Sequence, residues 1–153
     1  MRAAMMALVI VVLVTSAVAA AEESGRVTLT TPAPFARAAA ALEQAISNNK
    51  MALVCHANAQ QGAAGRGVAM KGNQVLMVFR NDFAVRLVAA DPATGFEAPI
   101  RIYIYENGDG TATISYVPPS RLFARYNHPE VNKVAAELDA IFGAIVNRAL
   151  AAR

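Results

Sequence analysis

A two-layer α+β sandwich is predicted, an antiparallel sheet with two helices on one face in the order β-α-β-β-β-β-α. Two observations at the ends of the chain and one between them predict it. Phe35, Ala38, Leu42 and Ile46 recur at helical spacing, and so do Val131, Val134, Leu138, Ile141, Ile145 and Ala149. Between these stretches the apolar residues fall into short runs, bounded by turn residues, with the length and alternation of strands. Consecutive strands on short connections are usually antiparallel neighbours, so both amphipathic stretches must cover one face of a single sheet.

Each element has its own warrant. "RVTLTT", Arg26–Thr31, alternates Val27 and Leu29 with threonines and reads as a half-buried strand that "TPAP" stops. The first helix runs from Phe35 to Asn48, with Asn48-Asn49 as its stop. Met51–Asn58 is the second strand, and "QQGAAGRG" after it is a flexible loop. "QVLMVFR", Gln74–Arg80, is apolar on both faces and is therefore a central strand. Phe83–Pro99 is irregular, with a short helix at Phe83–Ala90. "IRIYIYE", Ile100–Glu106, is a clear strand, and Thr111–Val117 returns beside it after "NGDG". "PPSRLFARYNHP" is a loop with one helical turn, and Pro129 opens the last helix.

The hairpin register follows from segregation of the faces. A two-residue loop would set Ile104 opposite Thr113 and mix polar with apolar. A three-residue loop, Gly108–Gly110, sets Ile104 near Ile114 and Tyr103 near Ser115, and so keeps the faces distinct. Gly110 then takes a positive φ. Ile100, Ile102, Ile104, Ile114 and Tyr116 point at the helices, and Arg101, Tyr103, Tyr105, Thr113 and Ser115 point away.

The start of the chain addresses location. Arg2 precedes an apolar run from Ala3 to Val14, and Ala17-Val18-Ala19 fits a small-residue cleavage pattern. Met1–Ala21 therefore reads as a signal peptide, with residues 22–153 as one exported α+β domain, periplasmic or secreted. A membrane is expected as a partner only through an uncleaved segment. Losing Arg2 leaves 13 basic against 11 acidic residues, and no long basic run exists, so nucleic acid is excluded as the expected partner.

Chemistry-bearing residues are sparse. The single cysteine, Cys55, stands beside His56, one of two histidines. On a regular strand neighbours point to opposite faces. Cys55 is then expected in the core with Met51 and Leu53, and His56 on the open face, so the pair forms neither a metal site nor a nucleophile with its base. His128 is a helix-start residue. No metal spacing is met, and no cofactor is expected. "GAAGRG", Gly62–Gly67, has no phosphate-loop pattern, and "ENGDG" is a turn rather than a calcium loop. Met51, Met70 and Met77 read as core fillers.

Several motifs between Phe35 and Asn127 carry a resemblance. A helix runs straight into a strand, and "GRGVAM", "VLMVFRN", "DPATGFEAPIRIYIYENGDG" and "ISYVPPSRLF" follow. This stretch resembles the family called domain of unknown function 302. Asp91-Pro92, Pro99, Tyr116 and Pro119 fall where that family has such residues, whereas Phe79-Arg80-Asn81-Asp82 lacks the glycine and proline of its turn. The resemblance implies a fold similar to one half of the TATA-binding protein, and dimers. It implies no activity.

Three functional expectations remain. The first is an exported module that homodimerises or binds a partner through the open face, using Arg101, Tyr103, Tyr105, Thr113 and Ser115. The second is a small-ligand or metal binder on that face near His56. The third is an enzyme of unknown reaction, which lacks any nucleophile with an arguable base.

Overall fold

The computed structural model describes residues 25–152; the expected signal segment, Met1–Ala21, lies outside the described residues. Five strands form one sheet: β1 Val27–Pro34, β2 Ala52–Asn58, β3 Asn73–Phe79, β4 Ile100–Glu106 and β5 Thr111–Tyr116. Their order is β1-β5-β4-β3-β2, and every neighbouring pair is antiparallel. The helices are α1 Phe35–Asn48, α2 Ala59–Ala64, α3 Asn81–Ala90, α4 Pro119–Phe123 and α5 Pro129–Leu150. The molecule is an α+β sandwich with its helices on one side of an open sheet.

The core lies between α1, α5 and the inner face of the sheet. Leu76 and Val78 on β3, Ile102 and Ile104 on β4, and Ile114 on β5 are all buried there, against Leu42, Ile46, Val134, Phe142 and Ile145. The helix-period stripes of α1 and α5 supply one layer and the period-two alternation of the strands supplies the other. The α5 start is capped, because His128 Nδ1 accepts from the Glu130 backbone N–H at 3.2 Å. At its other end the Leu150 carbonyl accepts from Thr31 Oγ1 at 3.0 Å, tying the helix to β1.

The hairpin has the three-residue loop. Ile104 faces Ile114 and Tyr103 faces Ser115, Asn107 N–H donates to the Thr111 carbonyl at 2.8 Å, and Gly110 has φ +85°. Two expectations are corrected. β1 does not stop at "TPAP" but continues to Pro34 through a bulge after Thr31. As an edge strand it can hold prolines where no ladder donor is required. The segment expected as a flexible loop begins with α2, whose first turn is capped by Asn58 Oδ1 accepting from Gln61 N–H at 2.9 Å. Among the described residues no helix is long and apolar enough to cross a membrane.

Candidate functional site

The face without helices is built in cross-strand rows. Cys55, Met77 and Arg101 form one row. Val75, Tyr103, Ser115 and Thr28 form the next, and Asn73, Tyr105, Thr113 and Thr30 a third. Directly opposed residues share a face, so these side chains all stand on the open side. Arg101, Tyr103 and Tyr105 therefore lie where the alternation of β4 predicts. The two tyrosine rings are 5.4 Å apart and tilted, and the Tyr103 hydroxyl accepts from Asn73 Nδ2 at 2.6 Å.

Thr113 and Ser115 share this face but are buried, at 4% and 6% exposure. Their hydroxyls are engaged by neighbours. Ser115 Oγ bonds Thr28 Oγ1 at 3.0 Å, Thr113 Oγ1 bonds Thr30 Oγ1 at 3.1 Å, and Thr113 donates to Asn107 Oδ1 at 2.9 Å. This hydroxyl ladder holds the β1 edge to the sheet. It presents no row of free donors to a ligand.

A hollow of about 680 Å³ opens over β3, β4 and β5 toward the end of the face where β4 begins and β5 ends. Val75, Met77 and Tyr103 form its floor with Ser115 beside them. A 3-10 helix, Pro92–Glu97, and the residues after it bring Phe96, Ala98 and Pro99 over one side, and Arg26, Val117 and Leu122 close another. Phe96 is 87% exposed. The acidic residue in the lining, Glu97, is already committed. Its Oε1 lies 2.9 Å from Arg125 Nη2 and accepts from the Tyr126 hydroxyl at 3.0 Å, with the side chain only 6% exposed. Burial, with Glu97 beside it, pushes the Tyr126 phenol up from its ordinary value. Arg101, by contrast, is exposed and makes no hydrogen bond, ion pair or ring contact among the described residues.

The structure reverses the expected placement of Cys55 and His56. β2 pairs regularly as far as Leu53 opposite Val78, then shifts register, so that Cys55 faces Met77 and His56 faces Leu76. Val54 is the extra residue of a β-bulge. Without it Cys55 would share Leu53's inner face. With it Cys55 stands on the open face and is exposed, and the expected burial of its thiol is overturned. His56 turns to the helix side. Its Nε2 meets Gln74 Oε1 at 3.0 Å, and its Nδ1 lies 3.9 Å from Glu43 Oε1 on α1. It therefore does not join Arg101, Tyr103 and Tyr105.

Gln74 and Glu43 line a second, shallower hollow of about 500 Å³, walled by Phe35 and Ala39 of α1 and by Glu106. Among the described residues no three histidine, cysteine, aspartate or glutamate side chains are grouped to hold a metal. Sequence reasoning missed Val75, Met77, Arg26 and Phe96 as site residues. Its signal for the first two was the two-faced apolar character of β3.

An open antiparallel sheet with helices on one side and a hollow on the other defines an α+β sandwich with one uncovered face. The chain belongs to the family Domain of unknown function DUF302, which it matches over residues 27–148. It is also similar in structure to an uncharacterized conserved protein DUF302 from Bacillus stearothermophilus. That likeness has a TM-score of 0.69 and 18% identity, covers 80% of this chain and 96% of the other, and at that identity shows the fold alone. No curated protein matches.

Proposed function

We propose that the chain is an exported binding module that takes a small apolar ligand in the hollow of its open face. The observation that carries this is the hollow itself: about 680 Å³ with a floor of Val75, Met77 and Tyr103. Ligand pockets usually measure about 300–1,000 Å³ and are lined mainly by apolar and aromatic side chains with a few polar groups. The hydroxyls nearby bond to one another rather than to a base, which favours binding over catalysis. Export rests on the residue pattern of Met1–Ala21. Sequencing the N-terminus of protein recovered from an exported compartment tests it; a start at Met1 overturns it.

A second reading, a homodimer joined through the same face, is favoured by Phe96. An aromatic residue 87% exposed that shares the hollow's lining with Arg101 and Tyr103 is the composition of an interface anchor. Native mass spectrometry reports subunit number and retained ligand together. Tyr103→Ala is the probing variant and Ile102→Ala its control. Under the ligand reading Tyr103→Ala weakens retention with the subunit number unchanged, and under the dimer reading it shifts the subunit equilibrium. Ile102 is fully buried, so its truncation costs about 2–5 kcal/mol of stability and identifies the helix side. If Tyr103→Ala changes neither ligand retention nor subunit number, both readings fall.

A further inference from the structure

We infer that the ligand of the open face is a small amphiphilic carboxylate, with its apolar body on Val75 and Met77 and its head on Arg101. The inference rests on the ligand reading above and concerns which chemistry the hollow selects. The floor is apolar, so a ligand must cover it with an apolar body. The polar question is then decided by charge. Arg101 stands directly opposite Met77 on the neighbouring strand and lines the hollow, as does Arg26. Glu97, the carboxylate in the same lining, is held by Arg125 and Tyr126 and is almost fully covered. Its charge is balanced by Arg125, which does not line the hollow. The hollow therefore presents cationic charge without an available internal counter-ion for Arg101.

A guanidinium at the margin of an apolar surface is the preferred receptor for a carboxylate. Its planar fork offers two parallel N–H donors, and it is weakly hydrated, so it gives up little water on pairing. A cationic amphiphile would bring like charge to the same place. A neutral one would leave Arg101 solvated as before and gain only from the floor. A nucleic acid or other long polyanion needs a track of cations along its backbone, which a hollow rimmed by two arginines does not supply.

Three probes with one tail separate these cases: dodecanoate, dodecanol and dodecyltrimethylammonium, titrated calorimetrically into the mature chain below micelle-forming concentrations. Dodecanoate should bind about tenfold or more tighter than dodecanol, equivalent to about 1.4 kcal/mol, and the cationic probe weakest. Arg101→Gln should bring dodecanoate to the level of dodecanol and leave dodecanol unchanged. Arg148→Gln, a cation on the exposed side of α5, should change neither. Arg101 is exposed and unpaired, so unaltered thermal unfolding will certify the variant as folded. Equal binding of dodecanoate and dodecanol overturns the carboxylate inference and leaves the apolar-ligand reading standing. Binding of none of the three, with sedimentation showing a stable dimer, assigns the face to a second copy and overturns both.

Discussion

Gly72, just ahead of β3, offers the sharpest test of the packing that sets the sheet under α1. A Cβ placed there would overlap the Cδ1, Cε1 and Cζ atoms of the Phe35 ring. Neither backbone is free to retreat. Gly72 N–H donates to Glu106 Oε2 at 2.8 Å and its carbonyl accepts from Glu106 N–H at 2.8 Å. Phe35 N–H donates to the Gly110 carbonyl at 3.0 Å. In Gly72→Ala the ring must therefore swing into the second hollow, which it walls. Overpacking of this kind costs about 1–3 kcal/mol. Against it, alanine restricts the unfolded chain, worth about 0.4–1 kcal/mol, so the net loss should be about 1–2 kcal/mol. Phe35→Ala removes the obstacle, and in that background Gly72→Ala should be neutral or mildly stabilising. Urea denaturation of the four variants gives the coupling between the two sites, expected at about 1–3 kcal/mol. Equal cost of Gly72→Ala in both backgrounds, or no cost in the parent, would refute the close approach.

Cys55 should react with an aromatic disulfide reagent at a similar rate in the folded and denatured protein, because the bulge leaves it exposed on the open face. A folded-state rate a hundredfold slower would return the thiol to the core. Acid stability should depend on Glu137 of α5. Hydrogen bonds from the Arg86 guanidinium hold its carboxyl below the ordinary value of 4.5. A carboxyl with a depressed folded value contributes stability that is present above 4.5 and lost as pH falls through the lowered value. The melting temperature of the parent should therefore fall on acidification below about pH 4.5, and Glu137→Gln should lose part of that dependence. An identical pH profile in the variant would mean that the α3–α5 contact carries none of it.

Elements specified by local pattern were legible in the sequence. α1 and α5 announce themselves through spacing, and the β4–β5 register follows because only one pairing keeps Ile104 with Ile114. What was not legible depends on placement across the fold. "TPAP" reads as a strand stop because proline cannot donate, but β1 lies at the sheet edge, where that donor is not required. The β2 bulge has no mark in "ALVCHAN", which contains neither glycine nor proline. One extra residue, Val54, nevertheless inverts every side chain beyond it, which is why Cys55 and His56 exchanged faces. The exposure of Phe96 was not legible either, since it depends on where the Pro92–Glu97 3-10 helix lies against the sheet.

The sequence of β3, apolar on both faces, carries more than a position inside the sheet. A strand apolar on both faces is normally covered on both. α1 and α5 cover the side that carries Leu76 and Val78. The other side carries Val75 and Met77, whose cover is partial: both remain half-buried at the floor of the hollow. On β5 the outward positions are polar instead: Thr113 and Ser115 are buried, and their hydroxyls are satisfied by Thr30 and Thr28 of β1. β3 departs from that pattern with apolar outward residues, next to Arg101 and Tyr103 on β4. The polar outward residues of β5 are covered and hydrogen-bonded while the apolar ones of β3 are only partly covered, and that contrast within one sheet is the physical reason to propose binding on this face.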